Sequence, residues 1–145
     1  MSPTEAGLRR ALLALAAATV LGILVELALM GHTGEPVQLL PFAIGGLGLG
    51  ALAFFAVQPH PVTGRLLRFA AGLLVLGGAY GSFEHVEHAY AFEAEIQPNA
   101  DAATHLWAAL TGSTPVLAPG AISLAGLLCL TALWQHPALR RSAPR

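Results

Sequence analysis

Long apolar runs, almost free of charge, constrain this chain more than any other feature. A helix rises about 1.5 Å per residue, so roughly 20 apolar residues cross the roughly 30 Å of hydrocarbon in a bilayer. Blocks of that kind follow one another at residues 11–30, 37–57, 66–83 and 106–134. Little sequence is left over. Only 10% of the residues are charged, less than half the share that covers a typical soluble domain, so a water-soluble fold is excluded at this step. There is also no room for a separate soluble catalytic domain, and any activity has to sit within the bundle or on its short loops.

The blocks carry their own punctuation. The first follows Arg9 and Arg10 and resembles a secretory signal, but its apolar core is longer than a signal's and no small-x-small cleavage site follows Met30, so it reads as an uncleaved helix. The second ends at Gln58-Pro59-His60-Pro61, where prolines stop a helix. The third is apolar through Phe83 and continues as Glu84-His85-Val86-Glu87-His88 into a polar zone, ending at Pro98 at the latest. The fourth has 29 uncharged residues, more than a perpendicular span requires, and Thr111-Gly112-Ser113-Thr114-Pro115 and Pro119-Gly120 interrupt it. A short helix at about 100–110 and a span at about 117–134 are therefore expected. Trp107 and Trp134 then fall near the two interfaces, where indole rings settle.

The expected fold class is all-α, an integral membrane four-helix bundle with a short extra helix or break before the last span. Its spans are placed at about 9–31, 37–57, 66–92 and 115–135 of a single domain, with a short basic tail at 136–145. All seven basic residues are arginines, and all fall on one side: Arg9, Arg10, Arg65, Arg68, Arg140, Arg141 and Arg145. The positive-inside rule makes that side cytoplasmic, with both termini on it. Every acid except Glu5 falls on or near the other side. Lysine is absent while alanine, leucine and arginine are favoured, a composition that suggests a GC-rich bacterial genome and hence the inner (plasma) membrane.

Helices in lipid associate by close packing, which small residues permit. The pairs with the right spacing are Ala18 with Gly22, Gly46 with Gly50, and Gly77 with Gly81. Cys129 lies inside an apolar run and reads as a small buried hydrophobe. A lone cysteine gives neither an internal disulfide nor a metal-thiolate motif.

On the third block, residues 77, 81, 84, 88, 91 and 95 step by fours and threes, the spacing of one seam. Outward along it, glycine gives way to Glu84 and His88, with Glu87 and Tyr80 alongside and His85 about 100° around. Glu26 on the first block is expected at a similar depth. An ionised carboxylate there costs free energy, and no arginine is on that side to offset it. Imidazolium, a metal cation, water or a proton must do so.

Imidazole with carboxylate suits a divalent transition metal, and a Glu-xxx-His pair supplies two ligands from one helix face. The expected ligands are Glu26, Glu84, His85 and His88, with Glu87, His32, His105 and Tyr80 as further candidates, and the expected cofactor is zinc or iron. Glu84-His85-xx-His88 is not the His-Glu-xx-His pattern of zinc proteases, since its histidines are three apart where that pattern needs four. Haem is disfavoured, because His32 and His105 lie in or near loops. No catalytic residues are assigned, and the balance leans away from an enzyme, since no nucleophilic, phosphate-binding or dinucleotide signature appears. The competing readings are an accessory subunit of a membrane complex without metal, and a proton-coupled small-molecule transporter using Glu26. The expected partners are the lipid bilayer and other membrane subunits or a second copy of the chain, with no nucleic acid.

Overall fold

The computed structural model describes residues 2–112 and 118–140, and these are all-helical apart from their turns. Helix α1 runs Pro3–Leu29, and a 3-10 turn at Pro36–Leu39 leads into α2, Leu40–Val57. Helix α3 spans Pro61–Ile96, α4 Ala102–Thr111, α5 Ala118–Ala132 and α6 Pro137–Arg140. Residues 113–117, which carry the expected break from Ser113 to Pro115, lie outside the described residues, as do Arg141 and Arg145.

Local chemistry sets these boundaries. Ser2 caps α1 by accepting from the Glu5 amide at 3.1 Å, and Pro3 occupies the first turn, where its missing N–H costs nothing. Gly31, at φ 66°, takes the left-handed conformation that closes α1. At the start of α3 the Thr63 hydroxyl accepts from the His60 amide at 3.1 Å, and His60 Nδ1 accepts from the Val62 amide at 3.3 Å. This capping, with Pro61 at the first position, starts α3 several residues before the expected 66. Asp101 caps α4, its carboxylate accepting from the Thr104 amide at 2.7 Å.

Three helical segments, Pro3–Leu29, Pro36–Val57 and Pro61–Ile96, are long and apolar enough to cross a membrane. Their outward faces present Leu15, Leu21, Val25, Phe54, Phe69 and Leu76 uncovered, far more exposed apolar surface than a soluble monomer leaves in water. This is a membrane protein whose apolar helices associate with the lipid bilayer. Helix α5 is apolar too, but its 15 residues reach about 22 Å, short of the roughly 30 Å of a hydrocarbon core.

The packing centres on α3 and α5, which run antiparallel, with α1 against α5 and α2, and α2 against α3. Leu67, Ala70, Ala71 and Leu74 of α3 meet Ile122, Ala125 and Cys129 of α5 in the core, joined by Ala16, Val20, Ala51 and Phe55. Backbones come together where glycine leaves room: a β-carbon on Gly126 would lie 2.6 Å from the Ala71 carbonyl oxygen, and one on Gly78 would lie 2.6 Å from that of Pro119. Ser123 donates its hydroxyl to the Val75 carbonyl at 2.8 Å and locks the same interface.

The expected small-residue pairs are only partly the ones used. Gly77 faces Ile44 and Gly81 faces Pro119, but Gly22, Gly46 and Gly50 have nothing within contact distance of an added β-carbon. On α2 it is Gly45 and Gly48, one position before and two after Gly46, that receive Leu24 and Leu74. Spacing identifies residues that allow close approach; the rotation of the helix about its axis decides which of them are approached.

Candidate metal site at the outer end of α3

Helix α3 has 36 residues and so is about 54 Å long, against the roughly 30 Å a perpendicular span requires. The excess carries the polar chemistry. Glu84, Glu87 and His88 lie at i, i+3 and i+4, one face of one turn, and a donor atom from each lies within 4.8 Å of the others. No other group of three or more histidine, cysteine or acidic side chains approaches this closely among the described residues. His88 Nδ1 is 2.8 Å from the Glu84 carbonyl oxygen. A carbonyl only accepts, so in the neutral ring Nδ1 carries the proton and Nε2 keeps its lone pair for a ligand. The Glu84 carboxylate lies 3.9 Å from Nδ1, and Tyr80, one turn below on the same helix, is exposed.

The site is open. The His88 side chain is 76% exposed and that of Glu84 27%, so three donors from one helix leave the remaining coordination positions to water or another chain. Beside it, α4 lies along α3 and the two helices enclose a cleft of about 170 Å³ lined by His88, Ala89, Phe92, Glu93, Ala108, Ala109 and Gly112.

The other residues singled out in the sequence are placed differently. Glu26 is exposed on the last turns of α1, a helix that packs chiefly against α5 and α2, and it is not part of the Glu84 group. His85 is half-buried, around the helix from Glu84, and His32 is half-buried in the loop after α1. His105 is buried, with its Nε2 2.9 Å from the Gln97 carbonyl oxygen and its ring edge-on to Tyr90, centroids 5.6 Å apart. That ring docks α4 onto α3. Glu95 is exposed, two turns beyond His88 on the same seam.

No protein-family model matches the chain, and comparison with curated proteins and with solved structures likewise gives no match. The donor geometry on α3 is therefore the basis for a functional reading.

Glu93 lines the cleft, and Asp101 caps α4 with its carboxyl held below the usual aspartate range by the Thr104 hydrogen bonds. His60 caps α3, as described above. His136 Nδ1 accepts from the Ala138 amide at 3.2 Å, and its ring stands edge-on to Phe55 with centroids 5.1 Å apart. An Asp three residues before a Thr-His pair is a legible capping signal; the Phe55 contact joins residues far apart in the chain and leaves no local trace.

Proposed function

We propose that this chain is a four-span bundle of the bacterial inner membrane, with both termini cytoplasmic, that binds a divalent transition metal through Glu84, Glu87 and His88 at its extracytoplasmic end. The observation that carries this reading is the convergence of the three donor atoms within 4.8 Å on one turn of α3. Two carboxylates and a neutral imidazole form a borderline donor set suited to zinc or iron. The Nδ1 bond to the Glu84 carbonyl holds the imidazole beside the two carboxylates. A site this open suits an ion that is taken up and released rather than stored.

The topology draws on the two ends of the molecule. Arg9, Arg10, Arg65 and Arg68 fall at one end, the acids of α3 at the other, and the positive-inside rule assigns the first to the cytoplasm. Helix α5 supplies the fourth span in this reading.

Elemental analysis of protein purified in mild detergent tests the assignment. Near-stoichiometric zinc or iron that is lost in Glu84→Ala and in His88→Ala is the expected result. Protein that carries no metal either as purified or after incubation with zinc or iron and removal of the excess would end the proposal.

A second reading, an accessory subunit of a membrane complex, has one observation of its own. The α3–α4 hairpin exposes Phe92, Ile96, Leu106, Trp107 and Leu110 beyond the length a bilayer requires of α3, an apolar surface that another subunit would cover. Glu26, the residue on which a proton-coupled transporter would depend, is exposed on α1 rather than enclosed among helices.

A further inference from the structure

The end of the molecule opposite the Glu/His group gathers arginines with no acid left to meet them. The first turns of α1, the start of α3 and the end of α5 come together here, and Glu5 is the only acid these segments contribute. Arg9 already holds it, at 2.8 Å. Arg65 and Arg68 stand one turn apart at the start of α3, both exposed. Arg65 uses only its Nε, on the Pro61 carbonyl of its own helix at 3.3 Å, and Arg68 uses one terminal nitrogen, on the Leu133 carbonyl at 3.2 Å. Their remaining N–H donors meet no acceptor among the described residues. Trp134, 70% exposed, follows the Leu133 that Arg68 holds, and indole rings favour the headgroup region of a bilayer.

We propose that Arg65 and Arg68, flanked by Trp134, bind the phosphate of an anionic phospholipid. The proposal is independent of metal binding and rests only on the helices lying in a bilayer. A guanidinium offers paired donors that match two phosphate oxygens at once, and basic sites between helices at a membrane surface select acidic headgroups. A zwitterionic headgroup brings its own cation alongside the phosphate, which repels this pair; an anionic one does not.

The test uses the full chain in mild detergent with phosphatidylglycerol and phosphatidylcholine in equal amounts, and native mass spectrometry reads which lipid stays bound. The wild-type chain is expected to retain phosphatidylglycerol preferentially. Arg65→Gln should lower that preference about fivefold while leaving the helix packing intact, because Arg65 bonds only to its own helix. Arg68→Gln should do the same, with a thermal melt reading separately the loss of its bond to α5. Equal retention of both lipids by wild type, or an undiminished preference in Arg65→Gln, would overturn the proposal. So would inorganic phosphate raising the melting temperature as much as phosphatidylglycerol does, since the site would then be one for free phosphate.

Discussion

Arg9 donates from Nη1 to the Trp134 carbonyl at 2.7 Å, joining the start of α1 to the end of α5. The same nitrogen also bonds the Ala132 carbonyl, while the other edge of the guanidinium is held by Glu5. The last carbonyls of a helix lack intrahelical donors and carry the negative end of its dipole. Arg9 and Arg68, reaching in from α1 and α3, thus close α5 from two sides.

Replacing Arg9 with glutamine should therefore destabilise the fold. The side chain is only 14% exposed, and charge-assisted hydrogen bonds contribute about 1.5–3 kcal/mol each where they are shielded from water, so a loss of about 2 kcal/mol is expected. Glu5→Gln, which removes an exposed partner of the same residue, should cost far less, because water screens that pair. Unfolding in mixed micelles measures both. Equal small effects would mean that the carbonyl contacts contribute nothing.

Glycine substitutions should separate faces that the spacing alone makes look alike. An alanine at Gly78 places its β-carbon 2.5 Å from Ser123 Oγ and 2.6 Å from the Ser123 amide nitrogen, and one at Gly126 meets the Ala71 carbonyl. Neither backbone can move without parting α3 from α5, so each should cost about 1–3 kcal/mol. Gly46→Ala and Gly50→Ala meet nothing within the chain and should be neutral or slightly stabilising, since alanine is the better helix former. The same micelle unfolding assay ranks all four.

The physical origin of these contrasts also marks how far the sequence could be read. Uncharged runs and the separation of arginine from acid are properties of the chain itself, so the apolar helices and the two unlike ends were legible. A short helix before the last apolar segment was also legible, from glycine and proline placement, and α4 at Ala102–Thr111 lies close to the expected 100–110. What spacing could not convey is which partner a face meets. Gly45 and Gly48 are packed where Gly46 and Gly50 were expected, and Arg9, which in sequence marks only a side of the membrane, closes a helix more than a hundred residues away. For the site, a turn of α3 could be read because its three donors are local; a shared site with Glu26 needed the relative rotation of two helices, which the sequence does not encode visibly.

Acid should weaken the contact between His136 and Phe55 of α2. Burial, and then the Arg9 charge, push its pKa below the ordinary histidine value of 6.5, so the folded protein favours the neutral ring. Above about pH 6.5 neither the folded nor the unfolded state carries the extra proton, and this contribution is complete. As the pH falls from there toward the folded-state value, the unfolded chain takes up the proton first and stability declines. Melting curves across this window should show the decline in wild type and a flatter profile in His136→Phe, which keeps a ring against Phe55 without a titrating group. Parallel profiles would assign the pH dependence elsewhere.

His105 should matter for order in α4 and not for metal. Its Nε2 is held by the Gln97 carbonyl and its ring by Tyr90, so His105→Ala removes the clasp between the two helices. Faster hydrogen exchange across Ala102–Thr111, with metal content unchanged, is the expected outcome. Loss of metal with unaltered exchange would make His105 a ligand instead.

The acidic residues finally distinguish a local site on α3 from one shared between spans. Glu84 and Glu87 contribute to the group with His88, whereas Glu95 lies two turns further along the same seam and Glu26 on another helix. If one turn of α3 holds the ion, Glu84→Gln and Glu87→Gln should each lower zinc affinity at least tenfold, the scale on which loss of even a supporting partner affects a metal site, and Glu95→Gln and Glu26→Gln should leave it unchanged. Protonation of the imidazole competes with the metal, so affinity should also fall in acid. Titration with zinc in detergent, read by calorimetry at two pH values, gives both answers. A loss in Glu26→Gln equal to that in Glu84→Gln would require α1 to contribute a ligand, and with it a closer approach of α1 to this turn of α3 than the present arrangement has.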